Sequence, residues 1–145
     1  MDSIRRATLQ DIDRVVPMFD AYRKFYGQNS DLDSARRFLT ERTLQGQSVI
    51  LIAGDDAGFA QLYPSFSSVR MQPTMILNDL YVRPEMRCRG VGEALLHAAC
   101  DVARESGAAR MSLSTAVDNS AAHALYVRAG WERDAHFHTY TIAIG

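Results

Sequence analysis

The sequence predicts an α/β chain in which a mixed sheet carries helices on both faces. Three observations predict it. Turn residues link apolar, strand-like runs between Ser48 and Phe66. From Met75 onward, strand and helix patterns alternate. The apolar residues of 12–26 and 91–106 recur at helical spacing.

Ser3 to Ala7 can form a short first strand. Thr8 reads as a helix cap, with Asp11 three residues on as its capping-box partner. Ile12, Val15, Val16, Phe19, Tyr22 and Tyr26 follow at helical spacing, with Tyr22 and Tyr26 on the inner face. Pro17 is expected to kink or split this helix, because it lacks an N–H and crowds the preceding turn. Gly27 closes the segment. Asp31 or Asp33 can cap a second helix, with Leu32, Ala35, Phe38 and Leu39 facing inward. Ser48 to Ala53 reads as a buried strand, and Gly54, Asp55, Asp56 and Gly58 as a hairpin turn. Gly58 to Phe66 is the returning strand, and Pro64 within it marks an edge or a bend. Met75 to Val82 is a further strand. The helix Val91 to Ser106 carries Val91, Leu95, Ala98 and Val102 on one face and ends at Gly107. Arg110 to Ala116 reads as a strand, Ser120 to Ala129 as a short helix ended by Gly130, and Trp131 to Ile144 as one or two more strands.

Composition narrows the function classes. The 145 residues suit one domain, 1–145, with no linker, repeat or low-complexity tract. Sixteen basic and seventeen acidic residues leave a net charge of −1, which argues against broad binding to a nucleic-acid backbone. No apolar run approaches the ~20 residues of a membrane helix, and the N-terminus lacks a signal-peptide stretch. Cys88 and Cys100 have no partners at metal-ligand spacing, and His136 and His138 lack a third ligand, so no metal is expected. A reduced, cytoplasmic protein without nucleic-acid or membrane partners is the expectation.

The sharpest local feature runs from Tyr81 to Leu96. A strand feeds a turn holding Arg87, Cys88, Arg89, Gly90 and Gly92, and the turn opens a helix. Free N–H groups at a helix start carry partial positive charge, and glycines let a phosphate approach the backbone. The two glycines equally permit a tight strand-to-helix turn with no ligand. Leu95 stands where a dinucleotide fingerprint has its third glycine, and the Gly-Lys-Ser/Thr of a P-loop is absent.

Arg87-x-x-Gly90-x-Gly92 resembles the Arg/Gln-x-x-Gly-x-Gly/Ala signature of the GCN5-related N-acetyltransferases (GNAT), and Leu80-Tyr81-Val82-Arg83-Pro84 resembles the segment before it. Further on, Asn119, Ala122, Tyr126, Gly130 and Trp131 are similar to the family's second motif, Asn-x-x-Ala-x-x-x-Tyr-x-x-x-Gly-Phe/Trp. The resemblance is strong over 76–131. It implies a mostly antiparallel sheet with a V-shaped splay between central strands. It implies acetyl-CoA as cosubstrate, its pantetheine along Leu80, Tyr81 and Val82. The pyrophosphate would sit on Arg87, Cys88, Arg89, Gly90, Val91, Gly92 and Glu93, with Asn119 as a further contact. An amine attacks the thioester directly in a ternary complex, a strand-bulge N–H can stabilise the oxyanion, and Tyr126 protonates the leaving thiolate.

Asp79 can bind the substrate ammonium or deprotonate it, whereas Asn78 departs from the acidic pair of some relatives. As a bare sequence feature, Asp79 equally suits a solvated or salt-bridged carboxylate. Tyr26, Tyr63 and Asp79 are the expected substrate contacts, since aromatic walls with one acid suit a cationic amine. The aromatic and basic segment Tyr22 to Tyr26, the segment Gln61 to Ser68 expected to close the other side of the slot, and Asn78 to Val82 together look like the Hpa2-like branch, which includes polyamine and histone acetyltransferases. The expected activity is acetyl transfer to a small primary amine or polyamine. The alternatives are a protein lysine or N-terminal acceptor, a non-catalytic acyl-CoA-binding regulatory domain, and a nucleotide-binding module. Relatives are often homodimers, and the strand expected over 137–144 can pair or exchange.

Overall fold

Thr8 and Asp11 open the first helical segment as their spacing predicts. In the computed structural model, which describes residues 3–145, the Thr8 N–H donates to Asp11 Oδ2 at 2.8 Å. Arg5 grips the same carboxylate with two nitrogens, at 2.9 and 2.7 Å, and so ties strand β1 (Ile4–Arg6) to the turn Leu9–Asp11. Helix α1 (Ile12–Phe25) follows and runs without a break through Pro17. That corrects the expected kink or split. Pro17 and Asp13 both face solvent, so water can satisfy the Asp13 carbonyl that loses its helical donor.

Helix α2 (Leu32–Leu44) is capped by Asp31, whose carboxylate accepts from the Ser34 N–H at 3.1 Å. Asp20, buried on α1, holds the intervening loop by accepting from Ser30 Oγ at 2.7 Å and the Asp31 N–H at 2.9 Å. Ala35 and Leu39 face inward as expected, but Leu32 and Phe38 are exposed. Phe38 instead stacks on Phe19 and lies under the Arg42 guanidinium.

Strands β2 (Val49–Ala53), β3 (Gly58–Ser67) and β4 (Gln72–Val82) form an antiparallel meander with β1 outside β2. Pro64 lies beyond Leu62, the last β3 residue paired to β2, so its missing N–H falls on an open edge. Strand β5 (Arg110–Ser112) lies parallel to β4 along Thr74 to Ile76. Ile50, Ile52 and Phe59 pack under α1 and α2 with Val15, Val16, Met18 and Phe19. The opposite sheet face takes α3 (Val91–Glu105) through Val91, Leu95, Leu96, Ala99 and Ala103. This stripe replaces the expected Ala98 and Val102, because a four-residue step from Leu95 reaches Ala99 and Ala103.

Contacts divide the chain into two units, one ending at Ser114 and one spanning Thr115–Gly145. The second contains α4 (Ser120–Arg128). Two strand expectations need correction. The strand expected to reach Ala116 stops at Ser112, where its pairing with β4 ends. No strand forms over 131–144. Phe137, Tyr140, Ile142 and Ile144 are exposed there, and β-propensity makes a strand only where a ladder partner exists.

Gly58 fixes how closely β3 and β4 approach. A Cβ built there would meet the Tyr81 carbonyl oxygen at 2.5 Å and the Val82 Cα at 3.2 Å. Gly58→Ala is expected to cost about 1–3 kcal/mol by overpacking, read as a lower thermal midpoint, and to disturb backbone amide shifts at Tyr81 and Val82. A second expectation concerns Asp11, whose carboxyl is held well below the usual range by the Arg5 guanidinium and the Thr8 N–H. Its stabilising effect is present above the unfolded carboxyl pKa of ~3.9 and is lost as pH falls. Asp11→Asn should therefore unfold more easily than the parent at pH 7, and denaturant titrations should show the gap closing below about pH 4.

Candidate active site

The turn after β4 is fastened before it reaches α3. The Arg83 N–H donates to the Ala57 carbonyl at 2.9 Å. Its Nε donates to the Asp56 carbonyl at 2.6 Å, and the guanidinium pairs with the Asp56 carboxylate at 3.1 Å. Pro84 begins a single tight helical turn, Pro84–Met86. Arg87 then reaches back, and its Nε donates to the Val82 carbonyl at 3.0 Å. Cys88 and Gly90 both adopt left-handed backbone, with φ of 61° and 82°. This pair of bends turns the chain into α3.

Gly90 caps α3 without a side chain, and its carbonyl accepts from the Ala94 N–H at 3.0 Å. The N–H groups of Val91, Gly92 and Glu93 precede that bond and have no acceptor within the helix. A Cβ built on Gly90 meets nothing within 4 Å, so the space before these donors is open. Arg87 and Arg89 are exposed beside it. Such a donor set fits a diphosphate.

Upstream, β4 offers an edge. β5 pairs only Thr74 to Ile76, so no strand pairs that side of Leu80, Tyr81 and Val82 among the described residues. An extended ligand arm with amide groups can bond along such an edge, as strand addition does. The fit of both parts to acetyl-CoA is thus chemical: backbone donors for phosphate, then an open ladder for the amide arm.

Asp79 sits one step before that edge, 2% exposed. The β3–β4 register slips at Gln61/Leu62, which leaves Asn78 as the extra residue and aligns Asp79 with Gln61. Gln61 Nε2 donates to Asp79 Oδ2 at 2.6 Å, and Asn78 Nδ2 to Oδ1 at 2.9 Å. Burial pushes the Asp79 carboxyl above its ordinary range, while the two amides pull it down. Tyr63 is half-buried nearby, and desolvation with the Asp79 charge raises its phenol to about 12, against a lowering by Arg42.

Tyr26 is not on the inner face. It follows the last residue of α1, 44% exposed, with its ring 5.1 Å from Tyr22 and 5.2 Å from Phe25. Tyr22 carries the contact inward, since its hydroxyl donates to the Asn78 carbonyl at 3.1 Å. Asp79, Tyr63 and, through Tyr22, Tyr26 therefore belong to one neighbourhood. Sequence reasoning put Gln61 in the segment expected to close one side of the slot but missed its bond to Asp79. Its signal was a lone amide in an otherwise apolar run, which is unfavourable unless a polar partner lies across the ladder.

Within the second unit, Asn119 caps α4 by accepting from the Ala122 N–H at 3.3 Å. Tyr126 lies on α4 with its ring 6.3 Å from Trp131, and its carbonyl accepts from the Trp131 N–H at 2.9 Å. His123 Nε2 is 3.1 Å from the Ala116 carbonyl. A cavity of about 290 Å³ lies elsewhere, between Arg6, Ser48, Pro64 and Met75 at the other end of the meander. It contains none of the groups just described.

Gly90→Val tests the cradle. A β-branched residue at φ 82° strains the turn and fills the open space. CoA affinity should fall roughly tenfold or more by calorimetry, a loss of about 1.4 kcal/mol. Unchanged affinity in the folded variant would remove the cradle from consideration.

The Acetyltransferase (GNAT) family model matches residues 15–131. The chain is 45% identical over 145 residues to the uncharacterized N-acetyltransferase YhfO of Bacillus subtilis, spanning 98% of this chain and 97% of that protein. It is 27% identical over 109 residues to an aminoglycoside N(6')-acetyltransferase type 1 of Stenotrophomonas maltophilia, covering 70% and 71% of the two chains. The crystal structure of a probable acetyltransferase superposes with a TM-score of 0.93 at 43% identity, over 99% of this chain and 98% of that one. Cradle, open edge and full-length similarity agree, and this chain belongs to the acetyltransferase (GNAT) family as an acetyltransferase enzyme.

Proposed function

We propose that the chain transfers acetyl from acetyl-CoA to a primary amine of a small molecule. Residues 1–145 act in this proposal as one acetyltransferase domain of the cytoplasm. The observation that carries it is the open β4 edge at Leu80, Tyr81 and Val82 leading into the Gly90 cradle. Acetyl-CoA, when bound, supplies a thioester carbonyl activated for attack by an amine.

The chain's own residues do the rest. The α3 N-terminal N–H groups hold phosphate charge, and Arg87 and Arg89 add to that field. The edge of Leu80 to Val82 orients the extended arm, and a main-chain N–H of the bulged segment can face developing oxyanion charge. Asp79 takes the acceptor's proton, directly or through water. Its burial favours a carboxyl poised nearer neutrality than an exposed one. Tyr126 is assigned to the leaving thiolate by its motif alone, and phenol (~10) and thiol (~8.5) are close enough in acidity for transfer. Asn119 is a proposed CoA contact on the same ground.

A cationic small amine suits the buried Asp79 carboxylate, which accepts from the neutral amides of Gln61 and Asn78 and lies near Tyr63. One relative is named an aminoglycoside N(6')-acetyltransferase, which supports a small-molecule amine as acceptor. The Hpa2-like assignment rests on segments 22–26, 61–68 and 78–82 and takes in both polyamine and histone acceptors.

A thiol-release screen with acetyl-CoA against polyamines, aminoglycosides, amino acids and peptides is the test. Small amines should give the highest kcat/KM. CoA binding with no thiol release on any amine would make the chain an acyl-CoA-binding regulator instead. Tyr126→Phe should lower kcat roughly 100-fold with CoA affinity retained, and unchanged kcat sinks its role as acid.

A further inference from the structure

Gln61 is the most deeply buried polar side chain in the sheet, with 0% exposure, and no reaction step above uses it. Its amide has a definite orientation. Nε2 donates to Asp79 Oδ2 at 2.6 Å, while Oε1 is buried without a hydrogen-bond partner. A buried amide normally satisfies its oxygen as well. Here it forgoes that bond and spends its donor on the carboxylate. The short separation is that of a charge-assisted bond.

We propose that Gln61 is a positioning residue that holds the Asp79 carboxylate in its ionised form at the β4 bulge, so setting the pH at which Asp79 can accept a proton. The inference rests on the reading of Asp79 as the base. Gln61 is suited to the task because it lies on β3, two residues from Phe59 on the face under α1 and α2, in a packed core. Asn78, the second donor, is exposed, so its bond competes with water. The other titratable groups around Asp79 are phenols: Tyr63 on β3, Tyr22 on α1 and Tyr81 on β4. Arg42 of α2 acts on Tyr63. The Asp79 carboxyl carbon reports the protonation of Asp79 itself.

The sign is fixed by the chemistry. Removing a donor to the ionised carboxylate favours its protonated form. In Gln61→Met, the Asp79 carboxyl carbon, followed by carbon-detected NMR, should titrate about one to two pH units higher than in the parent. In the parent, the Gln61 side-chain amide resonance should titrate with the same midpoint as Asp79. This second measurement needs no variant, so it stands if Gln61→Met does not fold. A Gln61 amide that ignores the Asp79 titration, or an Asp79 midpoint unmoved in folded Gln61→Met, overturns the proposal. The acid limb of kcat/KM separates the two claims. If the Asp79 midpoint moves and the acid limb moves with it, both stand. If the midpoint moves and the acid limb does not, Gln61 still sets Asp79 protonation, and Asp79 is not the base.

Discussion

The ladder between β3 and β4 is the constraint on which the rest of the structure depends. Ten residue pairs run from Gly58 opposite Val82 to Ser67 opposite Gln72, with one slip at Gln61/Leu62. Its two faces bury the aromatic cluster under α1 and α2 and the apolar stripe of α3. Its close approach at Gly58 sets where the Tyr81 carbonyl lies. Its slip turns Asp79 toward Gln61. Its far side is left open from Leu77 onward because β5 is only three residues long. Backbone geometry thus decides both where a ligand arm can pair and which carboxylate stands beside it.

Two kinds of polar group serve different ends in this unit. Asp11 and Asp20 are buried acids with cations beside them: a two-pronged Arg5 on Asp11, and Arg23 at 3.9 Å from Asp20, which also accepts from a hydroxyl and an amide. Both are pulled below the ordinary carboxylate range. Among the described residues Asp79 has no cation against it, and burial pushes its carboxyl the other way. The first two hold loops in place. The third keeps its carboxyl in the interior among neutral donors, an arrangement suited to receiving a proton or a cation.

Much of the fold was legible because local rules governed it. The Thr8–Asp11 box, the Asp31 cap, the Gly54–Gly58 turn and the Gly90 turn each depend on residues within a few positions of one another. What failed depended on distant partners. The 131–144 segment has strand-like residues, but whether a strand forms is decided by another strand, which sequence does not reveal. In the site, the cradle could be read from its glycines, whereas the Gln61–Asp79 bond required knowing the ladder register. A one-residue change of register would have sent Gln61 to the opposite face.

The open side of β4 also has a cost of a different kind. Unpaired strand edges template association between copies, and a site that needs such an edge cannot simply cover it. Here the exposed stretch is short, closed at one end by β5 at Ile76 and at the other by Pro84, which has no N–H to continue a ladder. The bulge at Asn78 and the buried carboxyl of Asp79 interrupt it further. The molecule thereby keeps a landing strip long enough for one ligand arm and too short and irregular for a second sheet.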